Sequence, residues 1–144
     1  MIIDQYYPDR EGRAHLYTRW RDSEGDLIEE RITPDDFEPY FWISADVPDR
    51  IVENALRRYP GSRLVREDTA LSLPKGIYGE EKELVKIVAS RPGEVGQMRR
   101  QFPQTWEADV RFPDRYLIDK VPEMPNWKPR VWHFDLEWDP KHNF

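Results

Sequence analysis

The decapeptide Val131-Trp132-His133-Phe134-Asp135-Leu136-Glu137-Trp138-Asp139-Pro140 carries the residues best suited to chemistry. In an extended strand alternate side chains face the same way, so Val131, His133, Asp135 and Glu137 share one face and Trp132, Phe134, Leu136 and Trp138 the other. Two carboxylates at i and i+2 stand about 6.5–7 Å apart along a strand. That spacing lets Asp135 and Glu137 ligate one Mg²⁺, or a pair of ions, as two-metal phosphoryl-transfer sites require. The spacing by itself is weak, because Asp-x-Glu recurs at Asp9/Glu11, Asp22/Glu24 and Asp36/Glu38. The flanking apolar strand singles out the last copy, and the ligands that would complete a site do not follow it before Phe144.

Composition bounds what such a strand belongs to. The 144 residues suffice for one domain, or one domain and part of another. The charged fraction is high at 35%, but six Trp, seven Tyr and six Phe argue for a folded chain. The absence of cysteine excludes disulfides, thiolate metal sites and cysteine nucleophiles. No apolar run reaches a membrane span and Met1-Ile2-Ile3-Asp4 does not begin a signal peptide, so a cytoplasmic, intracellular protein with no membrane association is expected. A net charge of −6 opposes indiscriminate binding to nucleic acid. Arginine pairs at Arg57/Arg58, Arg63/Arg66, Arg99/Arg100 and Arg111/Arg115 allow a locally positive surface, with solvated helix faces as the alternative.

Periodicity predicts the framework. Strands are expected at Ile2–Asp4, Ala14–Arg21 and Leu27–Ile32, the last two joined by the turn Ser23-Glu24-Gly25-Asp26. Phe37–Ile43 is β-prone, with Pro39 restricting its entry. A helix capped within Asp46-Val47-Pro48-Asp49 follows and ends near Tyr59-Pro60-Gly61. Strands at Arg63–Glu67 and Glu83–Ala89 flank a turn-rich excursion over 71–79. A helix from Glu94 to Phe102, a strand from Trp106 to Val110 and a short helix from Phe112 to Asp119 complete the sequence of elements before a proline-rich linker. From Tyr40 to Val110 the order is β-α-β-β-α-β.

With these residues in view, the chain resembles the amino-terminal part of an archaeal-type family B DNA polymerase, continuing into the first strand of its 3′→5′ exonuclease domain. The resemblance is collinear over nearly all of the chain. It rests on Met1-Ile2-Ile3-Asp4 with Tyr7, Phe37-Glu38-Pro39-Tyr40-Phe41, Arg91-Pro92-Gly93-Glu94-Val95, Asp109-Val110-Arg111-Phe112 running into Arg115-Tyr116-Leu117-Ile118-Asp119-Lys120, and His133-Phe134-Asp135-Leu136-Glu137. It implies an α+β fold: amino-terminal antiparallel strands, then a ferredoxin-like, RNA-recognition-like β-α-β-β-α-β core, ending in the first strand of an RNase H-like exonuclease domain. The implied boundaries are 1–120 for a template-binding or uracil-binding domain, 121–129 for the linker and 130–144 for the truncated exonuclease strand.

The resemblance further implies that Asp135 and Glu137 are the first exonuclease motif, a partial metal site that would take Mg²⁺ or Mn²⁺ only if completed. Trp138 stands where the family usually has Thr. The later exonuclease acids and the palm-domain aspartates are not in the chain, which by itself would catalyse neither reaction. Implied partners are single-stranded DNA template and a separate or missing catalytic polymerase part. The family's uracil-capturing positions fall on Tyr7, Pro39, Tyr40, Pro92, Val95, Arg99, Val110, Phe112, Arg115 and Tyr116, where rings and Pro/Val methyls would form a slot too narrow for the C5-methyl of thymine. Arg99 and Arg115 would anchor phosphates or brace the wall. Two other readings stay open. One is a metal-dependent nuclease in which Asp135 and Glu137 are completed by His133, Asp139 or a second copy. The other is a non-catalytic interaction module that docks, or forms a homo-oligomer, through residues 130–140.

Overall fold

The computed structural model describes residues 1–7, 13–66 and 83–121. The expected excursion over 71–79, the linker beyond Val121 and the whole strand bearing His133, Asp135, Glu137 and Asp139 lie outside the described residues, and so does the RNase H-like element.

Two antiparallel sheets organise the rest. The first has the order β1-β2-β3, from Ile2–Tyr6, His15–Arg21 and Leu27–Ile32. Its β2–β3 hairpin closes where the sequence puts Ser23-Glu24-Gly25-Asp26, with Arg21 opposite Leu27 and Trp20 opposite Ile28. The Asp22 carboxylate accepts from the amides of Glu24 and Asp26 at 3.0 and 2.9 Å, and Gly25 takes the φ of 92° that the turn needs and that glycine adopts without a steric penalty.

The second sheet has the order β5-β6-β4-β7, built from Tyr40–Ser44 (β4), Arg63–Val65 (β5), Leu84–Val88 (β6) and Thr105–Trp106 (β7). Every neighbouring pair is antiparallel. Helix α1 (Asp49–Arg58) separates β4 from β5, and α2 (Pro92–Met98) with a single 3₁₀ turn (Arg99–Gln101) separates β6 from β7. Alternation along β4 sends Phe41 and Ile43 into a core shared with Val52 and Ala55 of α1, Val85 and Ile87 of β6, and Val95 and Met98. Phe41, Ile43, Ile87 and Met98 are fully buried. Truncating a buried aromatic such as Phe41 to alanine costs about 3–5 kcal/mol. Tyr40 and Trp42 point to the opposite face.

Helix α3 (Phe112–Lys120) joins the sheets through a second core, in which Phe112 packs with Ala14, Leu16, Ile32 and Phe37, and Tyr116 lies against it. The Phe37 and Phe112 rings stack at 5.5 Å, and Phe37 meets Tyr116 edge-on at 5.2 Å.

One local expectation is refined and another changes. Within Asp46–Asp49 the cap position of α1 falls on Pro48, with no side-chain hydrogen bond, and its carbonyl accepts from Ile51 at 2.8 Å. The Trp106–Val110 strand is cut to Thr105–Trp106, because Glu107 adopts a φ of 58° and the chain turns, closing with a hydrogen bond from the Val110 amide to the Glu107 carbonyl. That turn, and not a strand, carries Ala108 and Val110 toward α2 and α3.

Candidate functional site

Between that turn, the start of α2 and the start of α3 lies a cavity of about 90 Å³ lined by Pro39, Tyr40, Pro92, Val95, Gly96, Ala108, Val110, Arg111, Phe112 and Arg115. Seven of the ten positions singled out in the sequence thus line one space. Pro92, Val95 and Gly96 present one face of α2, as i, i+3, i+4 spacing demands. Pro39 precedes β4 and is itself buried. Pro92 starts α2 at a position that needs no amide donor.

Three positions stand elsewhere. Tyr7 is exposed beyond the end of β1, its hydroxyl meeting the Gln5 amide. Tyr116 belongs to the second core with Phe37. Arg99 is exposed at the start of the 3₁₀ turn, past the helical face that lines the cavity.

Arg115 is the buried charge of the site. Its Nη2 lies 2.9 Å from Glu107 Oε2 and its Nη1 3.6 Å from Asp119 Oδ1 and 3.4 Å from the Tyr40 hydroxyl. Tyr40 in turn donates to Asp119 Oδ2 at 2.6 Å, and the Trp42 indole donates to Glu107 Oε2 at 3.1 Å. The two carboxylates therefore neutralise the guanidinium and fix both aromatic side chains. So enclosed, Arg115 braces the wall and does not reach out to solvent phosphates. The ion pair to Glu107 lacks hydrogen-bond direction: Nε and Nη2 of Arg115 are buried and find no acceptor among the described residues. Glu107 holds this place at a backbone conformation costing roughly 1–2 kcal/mol for a residue other than glycine.

Lys86 Nζ sits 4.6 Å from the Tyr40 ring centre and 5.3 Å from that of Trp42, the geometry of a cation–π contact. Burial, and then the hydrogen bond to Asp119, push the Tyr40 phenol well above its usual pKa, against the opposing pull of Arg115. The site's phenol is thus a neutral donor at any physiological pH.

A larger groove of about 300 Å³ lies on the other side of Tyr40, between Asp35, Glu38, Arg63, Lys86 and Asp119. Of the ten sequence-selected positions it contains Tyr40 alone, and its charges are partly spent on each other: Arg63 grips Glu38 through both guanidinium nitrogens and Asp119 holds Tyr40.

Sequence reasoning missed Gly96, Ala108, Arg111, Trp42 and Asp119 as parts of the site. Helical spacing from Pro92 and Val95 could have found Gly96. The i,i+4 spacing on α3 could have paired Asp119 with Arg115, but nothing local marks the contacts of Glu107 with Trp42 and of Asp119 with Tyr40, 65 and 79 residues away. Among the described residues no three of His, Cys, Asp or Glu form a metal-binding group, and no helix is long and apolar enough to cross a membrane.

The mixed α/β fold, with its antiparallel sheets, is similar to that of a segment of a family B DNA polymerase. The structure matches 16% of the chain of the family B DNA polymerase from the hyperthermophilic archaeon Pyrobaculum calidifontis, with a TM-score of 0.60 and 22% identity over 84% of this chain. In sequence it is similar to the DNA polymerase of Methanocaldococcus jannaschii, 28% identical over 138 residues and 88% of this chain. The DNA polymerases of Thermococcus litoralis and Thermococcus aggregans are 28% and 27% identical over 146 residues, 95% of this chain. The chain spans 8% of the length of each of these three relatives. No protein-family model matches it.

Proposed function

We propose that the chain is the amino-terminal segment of a family B DNA polymerase, which binds single-stranded template, takes a uracil base into the small cavity and works with a catalytic polymerase part. The observation that carries this reading is the convergence of Pro39, Tyr40, Pro92, Val95, Val110, Phe112 and Arg115 on one cavity. Its volume is below that of the roughly 150 Å³ cavity that encloses benzene, so a flat pyrimidine would enter by one edge and leave the rest in solvent. Apolar walls from Pro39, Pro92, Val95 and Val110 would exclude the extra methyl of thymine.

In this reading the second sheet, ordered β5-β6-β4-β7 with two helices on one face, is the ferredoxin-like core, and the domain ends near 120. Asp135 and Glu137 would supply the first exonuclease motif and hold Mg²⁺ or Mn²⁺ together with acids from the polymerase part. Anisotropy titrations of matched labelled single strands test the central claim. Uracil-containing strands should bind more tightly than thymine-containing ones; equal affinity removes uracil from the proposal.

A further inference from the structure

Four exposed arginines of the described chain have an acidic partner within ion-pair distance. Arg19 lies 2.8 Å from Glu29, Arg66 3.0 Å from Asp49, Arg111 2.7 Å from Asp114, and Arg63 grips Glu38. Arg57 and Arg58, in the last turn of α1, and Arg99 and Arg100, in the 3₁₀ turn after α2, are exposed and form no ion pair among the described residues. Arg50 and Arg91 also lack one, but each stands singly at the start of a helix, and Arg21 and Arg31, on the first sheet, meet the Gly25 carbonyl and the His15 ring instead. The two unpaired doublets are brought to one surface. Arg58 Nη1 donates to Gln101 Oε1 at 3.3 Å, and the Ser62 hydroxyl behind α1 lies 3.5 Å from Met98 Sδ, immediately before Arg99.

A helix C-terminus favours a cation in its last turn, which accounts for the placement of each doublet separately. It does not account for four like charges gathered on one face of a chain whose net charge is −6. Such a face gains most from a polyanion, whose counterions it would displace. The face is also continuous with the cavity: Val95 lines the cavity and Arg99 follows four residues later, a rise of about 6 Å along the helix.

We infer that Arg57, Arg58, Arg99 and Arg100 form a phosphodiester-binding surface for single-stranded nucleic acid, separate from the cavity and indifferent to the base. The choice of nucleic acid over an acidic protein rests on the template-binding function proposed above. The surface gives Arg99 a role that the cavity lining does not.

An abasic oligonucleotide, a labelled deoxyribose–phosphate strand without bases, isolates this surface from the cavity. Its affinity for the full chain should be measured by anisotropy across a series of salt concentrations. In the R57Q/R58Q/R99Q/R100Q variant the log–log salt slope should become shallower by about 0.7 for each phosphate that is no longer neutralised. The corresponding quadruple lysine variant should keep the slope, which guards against a folding defect. So should R19Q/R50Q/R63Q/R66Q, which changes the net charge equally but elsewhere.

Failure of the wild-type chain to bind the abasic strand overturns the inference. An unchanged slope in the glutamine variant, or an equal change in the displaced-charge control, overturns it too. Equal affinity for uracil and thymine strands alongside the expected slope change would defeat the cavity reading and leave this surface standing.

Discussion

The guanidinium carbon of Arg115 stands 5.0 Å from the centre of the Tyr40 ring while its Nη1 lies 3.4 Å from the hydroxyl of the same ring. One buried cation thus holds both the face and the tip of the side chain that separates the small cavity from the larger groove. Because Glu107 and Asp119 neutralise that cation from two sides, the arrangement is a closed charge set with Tyr40 at its edge.

Removing the cation should cost more than a surface ion pair. R115M leaves Glu107 and Asp119 facing each other's charge without a counterion, while Glu107 is half exposed. We expect a loss of about 2 kcal/mol in urea unfolding, below the roughly 3–5 kcal/mol of a fully buried broken pair. R115K keeps the charge but not the planar fork, and should recover only part of the loss. A loss under about 0.5 kcal/mol in R115M would mean that the guanidinium braces nothing.

Alkaline pH should destabilise the fold through Tyr40. The folded chain holds the phenol protonated, by burial first and by Asp119 second, so its folded pKa exceeds the unfolded value of 10.0. The sign follows: this contribution is intact below pH 10, where both states carry the proton, and is lost as pH rises further, because only the unfolded state releases it readily. Tyr116 is raised in the same direction, by burial and then by Glu30 and Asp36, so Y40F should flatten the alkaline fall without abolishing it. Thermal melts between pH 8 and pH 11 check this; identical slopes for Y40F and wild type would contradict it.

Gly96 offers a substitution that separates stability from binding. A Cβ built there meets nothing within 4 Å, and the backbone is helical, so G96A should stabilise α2 by about 0.5–1 kcal/mol. The same methyl encroaches on a cavity of about 90 Å³. The expected result is a higher melting temperature with weaker binding of a uracil-containing strand. Full binding at higher stability would show that the ligand does not enter beside α2.

The sequence by itself determined the order and most of the bounds of the elements, because those depend on neighbours. Alternation and turn chemistry around Gly25 place β3 at Leu27–Ile32, as observed, and the apolar runs place β4 and β6 to within a few residues. It also marked most of the cavity, since Pro39, Pro92, Val95 and Val110 carry the family resemblance.

Only the tertiary structure decided which marked residues meet. Val110 reaches the cavity because Glu107 leaves the strand conformation, and Glu107 does so while holding Trp42 and Arg115. Arg115 is buried because two carboxylates and a phenol surround it, whereas Arg99, equally basic in sequence, has no such partners and stays in solvent. Tyr116 turns to Phe37 instead of the cavity. The Trp42–Glu107, Tyr40–Arg115 and Phe37–Tyr116 contacts join residues far apart in the chain, so local patterns do not encode them, whereas the carboxylates of Glu107 and Asp119 stand only eight and four residues from Arg115.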